Sequence, residues 1–171
     1  MEYSFTKSQY TDGLTCEKKL WLTKNRPDLR SEPSVVQEAI FTQGHEVGEL
    51  AKKYFEKESV QFEVSFVHEG VFVRVDVLKK NSDGTTDLIE VKSSTKPKDI
   101  QIEDLSLQHW VVSNSGTPIH RSYLMHLNPE YVRGEKLDIR ELFVLSNETE
   151  AVLEKQQAVS ASVKRLKQII F

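Results

Sequence analysis

An α/β fold, with a central mixed β-sheet flanked by helices, follows from three features of this 171-residue sequence. Residues 71–79 and 88–92 alternate apolar and polar side chains around the turn Asn81-Ser82-Asp83-Gly84, the pattern of a half-buried hairpin. Upstream, Ser34 opens a capped amphipathic helix. Downstream, a helical stretch at 103–112 leads into a further strand candidate at 119–127. Helices on either side of consecutive strands predict one twisted layer covered by helices.

Each element has its own signal. Thr6-Lys7-Ser8-Gln9-Tyr10 leads to a short helix at 16–22, which ends before Asn25-Arg26-Pro27. Ser34 and Gln37 have capping-box spacing after Pro33. The helix they open runs to about Phe55, with Val36, Ile40, Val47, Leu50, Ala51 and Tyr54 recurring at helical intervals. Phe62, Val64 and Phe66 then alternate with Glu63 and Ser65, giving a strand at 61–67. A two-residue Glu69-Gly70 loop turns it into the 71–79 strand and matches its apolar residues to the face of Val73, Val75 and Val77. Pro97 separates the strands from the helix at 103–112, which ends around residues 113–116. Asn128-Pro129 and Gly134 mark turns, 137–145 is of mixed character, and a last helix spans about 148–171. The expected organisation is a single domain, with a core at 34–127, an N-terminal helical segment at 1–33 and a C-terminal helix at 147–171.

The hairpin register brings charges together. A loop of Ser82, Asp83 and Gly84 pairs Asn81 with Thr85 and, by the same count, Asp76 with Glu90. Two carboxylates across a ladder stand about 5 Å apart at Cβ and repel each other. The upstream hairpin sets Glu63 opposite Asp76 as a third acid, and Lys92 shares the side of Glu90. A divalent cation between the acids makes sense of this grouping. The competing reading of the hairpin alone is a solvated face of mixed charge, whose pairs are worth little.

Composition bounds the alternatives. With 38% hydrophobic and 29% charged residues, the chain has ordinary globular composition. It contains no apolar run of about 18 residues, and its start lacks the basic and apolar regions of a signal peptide. One cysteine, Cys16, excludes an internal disulfide and fits the cytoplasm. A net charge of −3 leaves any polyanion binding to a local patch, such as Lys96 and Lys98 beside Lys92. A polar loop is the plain alternative for that stretch.

Gly44-His45-Glu46-Val47 on a helix, Asp76 on a strand, Glu90-Val91-Lys92 on the next and Gln108 on the following helix resemble the PD-(D/E)XK nuclease superfamily. The order and spacing are similar to its RecB-like branch, which includes the CRISPR-adaptation exonucleases. The resemblance covers about residues 40–115 and implies a restriction-endonuclease-like core. It implies a metal-dependent DNA nuclease, with Asp76, Glu90, Lys92 and Gln108 catalytic. Mg²⁺ or Mn²⁺ would be held by Asp76, Glu90, the backbone carbonyl of Val91, His45 and, as a further oxygen donor, Glu63. Lys92 would orient or help deprotonate a metal-bound water and neutralise the phosphoryl oxygens. Gln108 would bind a nucleotide or hold Lys92.

Two departures stand out. The position four after Gln108 is Val112, where the family pattern has Tyr. Cys16 resembles the early cysteine of relatives that bind an iron–sulfur cluster, but one cysteine cannot build such a cluster within this chain. Cys16 is therefore expected to be a buried thiol. The apolar run Ile169-Ile170-Phe171 suggests a missing C-terminal region of a longer bacterial protein. The alternative function is a catalytically inactive nucleic-acid-binding or assembly module with the nuclease fold.

Overall fold

The structure is a computed structural model that describes residues 4–56 and 58–170. Its sheet is mixed and six-stranded. β1 (Phe5–Thr6) runs parallel to the start of β3 (Val71–Lys80), and β2 (Val60–His68) pairs antiparallel along β3. β4 (Thr86–Val91) is antiparallel to β3, β5 (Ile119–Leu127) is parallel to β4, and β6 (Phe143–Asn147) closes antiparallel on β5. The helices are α1 (Lys7–Thr15), α2 (Glu17–Asn25), α3 (Val35–Tyr54), α4 (Asp99–Asn114), α5 (Ile139–Leu142), α6 (Thr149–Glu154) and α7 (Gln156–Ile170). The parallel β4–β5 step is crossed by α4, as a parallel connection requires.

Each face of the sheet carries a core. On one face Phe5, Tyr10 and Leu20 pack with Leu105 and Val112 of α4 and Val163 and Leu166 of α7, over Val71, Val73 and Val75. On the other, Val47, Ala51 and Phe55, from α3 and its C-cap, cover Val77, Ile89, Met125 and Phe143. The N-terminal segment and the last helix thus share one core with the strands. Among the described residues no helix is long and apolar enough to cross a membrane.

Several expectations are met closely. Ser34 caps α3 with Gln37 in a capping box, and both hairpin registers follow the expected counts, with His68 opposite Val71 and Lys80 opposite Thr86. Others differ. An additional helix, α1, precedes Cys16, capped by Thr6 and Gln9. The terminal helix is broken at Lys155 into α6 and α7, and Phe171 lies outside the described residues. The apolar stripe of α3 is used only in its C-terminal half, because Val36 and Ile40 stay exposed. Cys16 is exposed, not buried, since it sits at the junction of α1 and α2.

The largest correction concerns the face of the β2–β3 hairpin. Val64, Phe66, Val73 and Val75 belong to the α4-side core, whereas Phe62 and Val77 belong to the α3 side. Both strands keep register but roll over between these positions, so the six residues do not share one face. The cause lies at Glu63, whose φ of +57° is left-handed; the Glu63–Asp76 pair is missing from the ladder on either side of it. An L-residue there is strained.

Two glycines fix the N-terminal segment. Gly70 has φ +72°, and a Cβ on it would meet Ser4 Oγ at 2.8 Å; Ser4 N–H donates to its carbonyl at 2.6 Å. A Cβ at Gly13 would come within 2.9 Å of side-chain carbons of both Leu20 and Leu166. Gly13→Val is therefore expected to destabilise by about 1–3 kcal/mol through overpacking. Urea denaturation checks this, and an unchanged midpoint would refute the close fit of α1 against α7.

Candidate active site

β3 meets different neighbours along one edge, and the charged cluster sits where they part. β2 runs along the other edge; on this one, β1 pairs at Val71 and Phe72, and β4 pairs from Val77 to Lys80. The β3–β4 ladder stops at Val77–Ile89. One step beyond it, the Val91 N–H donates to Asp76 Oδ2 at 2.8 Å, so a side chain replaces the ladder. Asp76 and Glu90 become neighbours at this split, as the turn register requires.

Glu90 is 2% exposed, and both of its oxygens accept hydrogen bonds. Its Oε1 accepts from Lys92 Nζ at 2.6 Å and from Lys7 Nζ at 2.8 Å, and its Oε2 accepts from Gln108 Nε2 at 2.7 Å. Lys92 also donates to Asp104 Oδ2 at 2.6 Å, and Lys7 lies 3.8 Å from that oxygen. A buried carboxylate survives only when so compensated. Glu90 owes its depth to parallel pairing with Leu124 of β5 and to α4, which delivers Asp104 and Gln108 one turn apart.

Burial and mutual charge set the protonation states. Burial first, and then the negative charge of Glu90, push the Asp76 carboxyl up to about 7. Burial alone would raise Glu90 as well, but Lys7 and Lys92 hold it well below the usual carboxylate range. For Lys92 the desolvation that disfavours its charge is outweighed by Glu90 and Asp104, so it stays firmly protonated. Lys7 is raised in the same way by Glu90, Asp104 and Asp76 against its own burial. Asp104 is raised by burial and by Glu90.

A cleft between α3 and the strands opens onto this cluster. It is lined by Gly44, His45, Gly48, Lys52, Glu63, Asp76, Glu90 and Val91, among others. His45 is exposed there, on the exposed side of α3. Glu63 lines the cleft too, but its carboxylate pairs with Arg74 at 3.0 Å and lies 3.9 Å from Lys52. Its contacts are thus to these two cationic side chains, while it shares the cleft lining with Asp76 and Glu90. Gln108 is fully buried and holds Glu90, so it is out of reach of a nucleotide and does not hold Lys92. Lys96 and Lys98 are exposed on the loop between β4 and α4.

Lys7 and Asp104 escape the sequence reading. Asp104 lies four residues before Gln108, a spacing that puts both on one helix face and could have flagged it. Lys7 contacts Glu90 across 83 positions of the chain, and no local pattern announces such a pairing.

The donor chemistry suits a hard divalent cation. Asp76, Glu90 and the Val91 carbonyl offer only oxygen, and a cation would offset the mutual repulsion of the two carboxylates. Among the described residues no three His, Cys, Asp or Glu side chains already form a cage.

No protein-family model matches this chain, and neither does any curated protein. Solved structures do. An alkaline exonuclease, LHK-Exo, from Laribacter hongkongensis is similar at 17% identity and TM-score 0.58, over 96% of this chain and 88% of that one. The same exonuclease in complex with dAMP is similar at 17% identity and TM-score 0.56, over 97% and 89%. A candidate exonuclease from Eubacterium rectale matches at 15% identity and TM-score 0.58, over 99% and 81%. At these identities the likeness is one of fold: a mixed sheet flanked by helices, laid out as in these exonucleases.

Proposed function

We propose that this chain is a Mg²⁺- or Mn²⁺-dependent DNA nuclease of the RecB-like PD-(D/E)XK kind. The observation that carries this reading is the Asp76–Glu90–Lys92 cluster, centred on buried Glu90, at the split between β3 and β4. A cleft opens onto it in a fold similar to that of an exonuclease. That relative's complex with a deoxynucleotide favours DNA as the polymer.

Asp76, Glu90 and the Val91 carbonyl would hold the cation, with His45 at the cleft mouth as a further donor. When bound, the ion supplies an acidified water and charge stabilisation at the scissile phosphate. The chain's own residues do the rest. Val91 N–H fixes the Asp76 carboxylate, and Gln108 fixes Glu90, so both ligands are preorganised. Lys92, held between Glu90 and Asp104, acts as an electrostatic clamp on the phosphoryl oxygens and orients the attacking water. Lys96 and Lys98 would meet the flanking phosphates, with salt-sensitive binding.

The chain is read as one nuclease domain, with a 34–127 core, an N-terminal segment at 1–33 and a C-terminal helical segment at 147–171. The exposed apolar residues Val35, Val36, Ile40 and Phe41 of α3 support its belonging to a longer protein, in which Cys16 would be available as a cluster ligand. Titrating Mg²⁺ and Mn²⁺ into the EDTA-treated chain with labelled single- and double-stranded DNA tests the reading. Cation-dependent cleavage is expected. DNA binding without cleavage at any cation concentration would instead assign an inactive binding module.

A further inference from the structure

Glu90 Oε1 accepts from two ammonium groups at once, Lys92 at 2.6 Å and Lys7 at 2.8 Å, which uses both of its lone pairs. Oε2 carries Gln108 alone, so a divalent cation that takes Oε1, singly or together with Oε2, must displace one of the two ammonium groups. The two lysines are not equivalent. Lys92 keeps a second short bond, to Asp104 at 2.6 Å, whereas Lys7 stands 3.8 Å from that same oxygen. Lys7 is the one that yields.

The placement of Lys7 is built, not incidental. Phe5 is fully buried, Ser4 is bonded to the Gly70 carbonyl, and the Thr6–Gln9 capping box makes Lys7 the first residue of α1. A cation in the first turn opposes the helix dipole, so the position is favourable only because acids face it. The backbone is fixed, while the four-carbon stem lets the ammonium move.

Charge counting agrees. By formal charge, Asp76, Glu90 and Asp104 against Lys7 and Lys92 leave one net negative charge in this contact cluster. A divalent cation turns this into one net positive charge, which a single phosphodiester neutralises.

We propose that Lys7 is a further active-site residue: a resident ammonium that holds Glu90 until a divalent cation takes it, and then balances the charge of the bound phosphodiester. This rests on the metal-dependent reading above. Calorimetric titration of Mn²⁺ into the DNA-free chain tests it, comparing the wild type with Lys7→Met and Lys7→Arg. Repulsion between an ammonium and a divalent ion a few Å apart is worth a factor of at least about ten, even at an effective dielectric of about 20. Lys7→Met is expected to bind Mn²⁺ about tenfold tighter or more, with Lys7→Arg near the wild type, while the KM of Lys7→Met for DNA rises. Equal or weaker Mn²⁺ binding by Lys7→Met overturns the proposal. If Lys7→Met unfolds without metal, recovery of its melting transition in Mn²⁺ supports competition; a chain still unfolded at saturating Mn²⁺ shows a purely structural lysine and overturns it. Absence of Mn²⁺ uptake by the wild type and both variants instead removes the metal-dependent reading itself.

Discussion

Replacing Lys92 with alanine is expected to lower the turnover of cation-dependent DNA cleavage at least about a hundredfold, while the chain stays folded. Losing one preorganised charge at a developing oxyanion costs about 3 kcal/mol, and the ammonium of Lys92 lies 2.6 Å from both Glu90 and Asp104. Breaking a buried pair by removing one partner ordinarily costs about 3–5 kcal/mol in stability. Here two compensations reduce that loss. Glu90 keeps Lys7 and Gln108, and Asp104, already raised by burial and by Glu90, takes up a proton instead of remaining charged. Single-turnover cleavage and circular dichroism on the same preparation check both halves. Parental turnover in the Lys92→Ala chain would remove Lys92 from the chemistry.

Asp76→Asn is expected to abolish Mn²⁺ uptake and, in the metal-free chain, to change how stability depends on pH. The folded Asp76 carboxyl is pushed up to about 7, above its ordinary 3.8. Between those values the folded chain binds more protons than the unfolded one, so this residue's contribution to stability falls as pH rises from about 4 to 7. It is fully present below 4 and gone above 7. Glu90, held low by its lysines, has the opposite sign and gains over a lower range, above its folded value and up to its ordinary 4.5. Melting temperatures of the EDTA-treated wild type should therefore decline between pH 5 and 7 relative to Asp76→Asn. Parallel curves for the two proteins would mean that Asp76 is not held protonated by its surroundings.

The hairpin and its acids were legible because turn chemistry fixes register by simple counting. Asn81 to Gly84 closes the loop, and Asp76 and Glu90 must then arrive together. The α3 capping box and β5 were legible for the same reason, being local patterns of period 3.6 or 2. The roll of β2 and β3 was not, because a left-handed φ at Glu63 has no Gly or Asn to announce it. That roll is why Phe62 and Val77 join the α3 side, while Glu63 pairs with Arg74 at the cleft. Lys7 was hidden by distance along the chain. The expectation for Gln108 erred in its partner: it is buried too deeply to meet a substrate, and it braces Glu90.

The tether between Ser4 and Gly70 links the segment that carries Lys7 to a turn remote from it in sequence. Gly70 holds a left-handed φ, and a Cβ there would press on Ser4 Oγ. Crowding that turn should therefore travel through Phe5 and Thr6 and slacken the hold of Lys7 on Glu90.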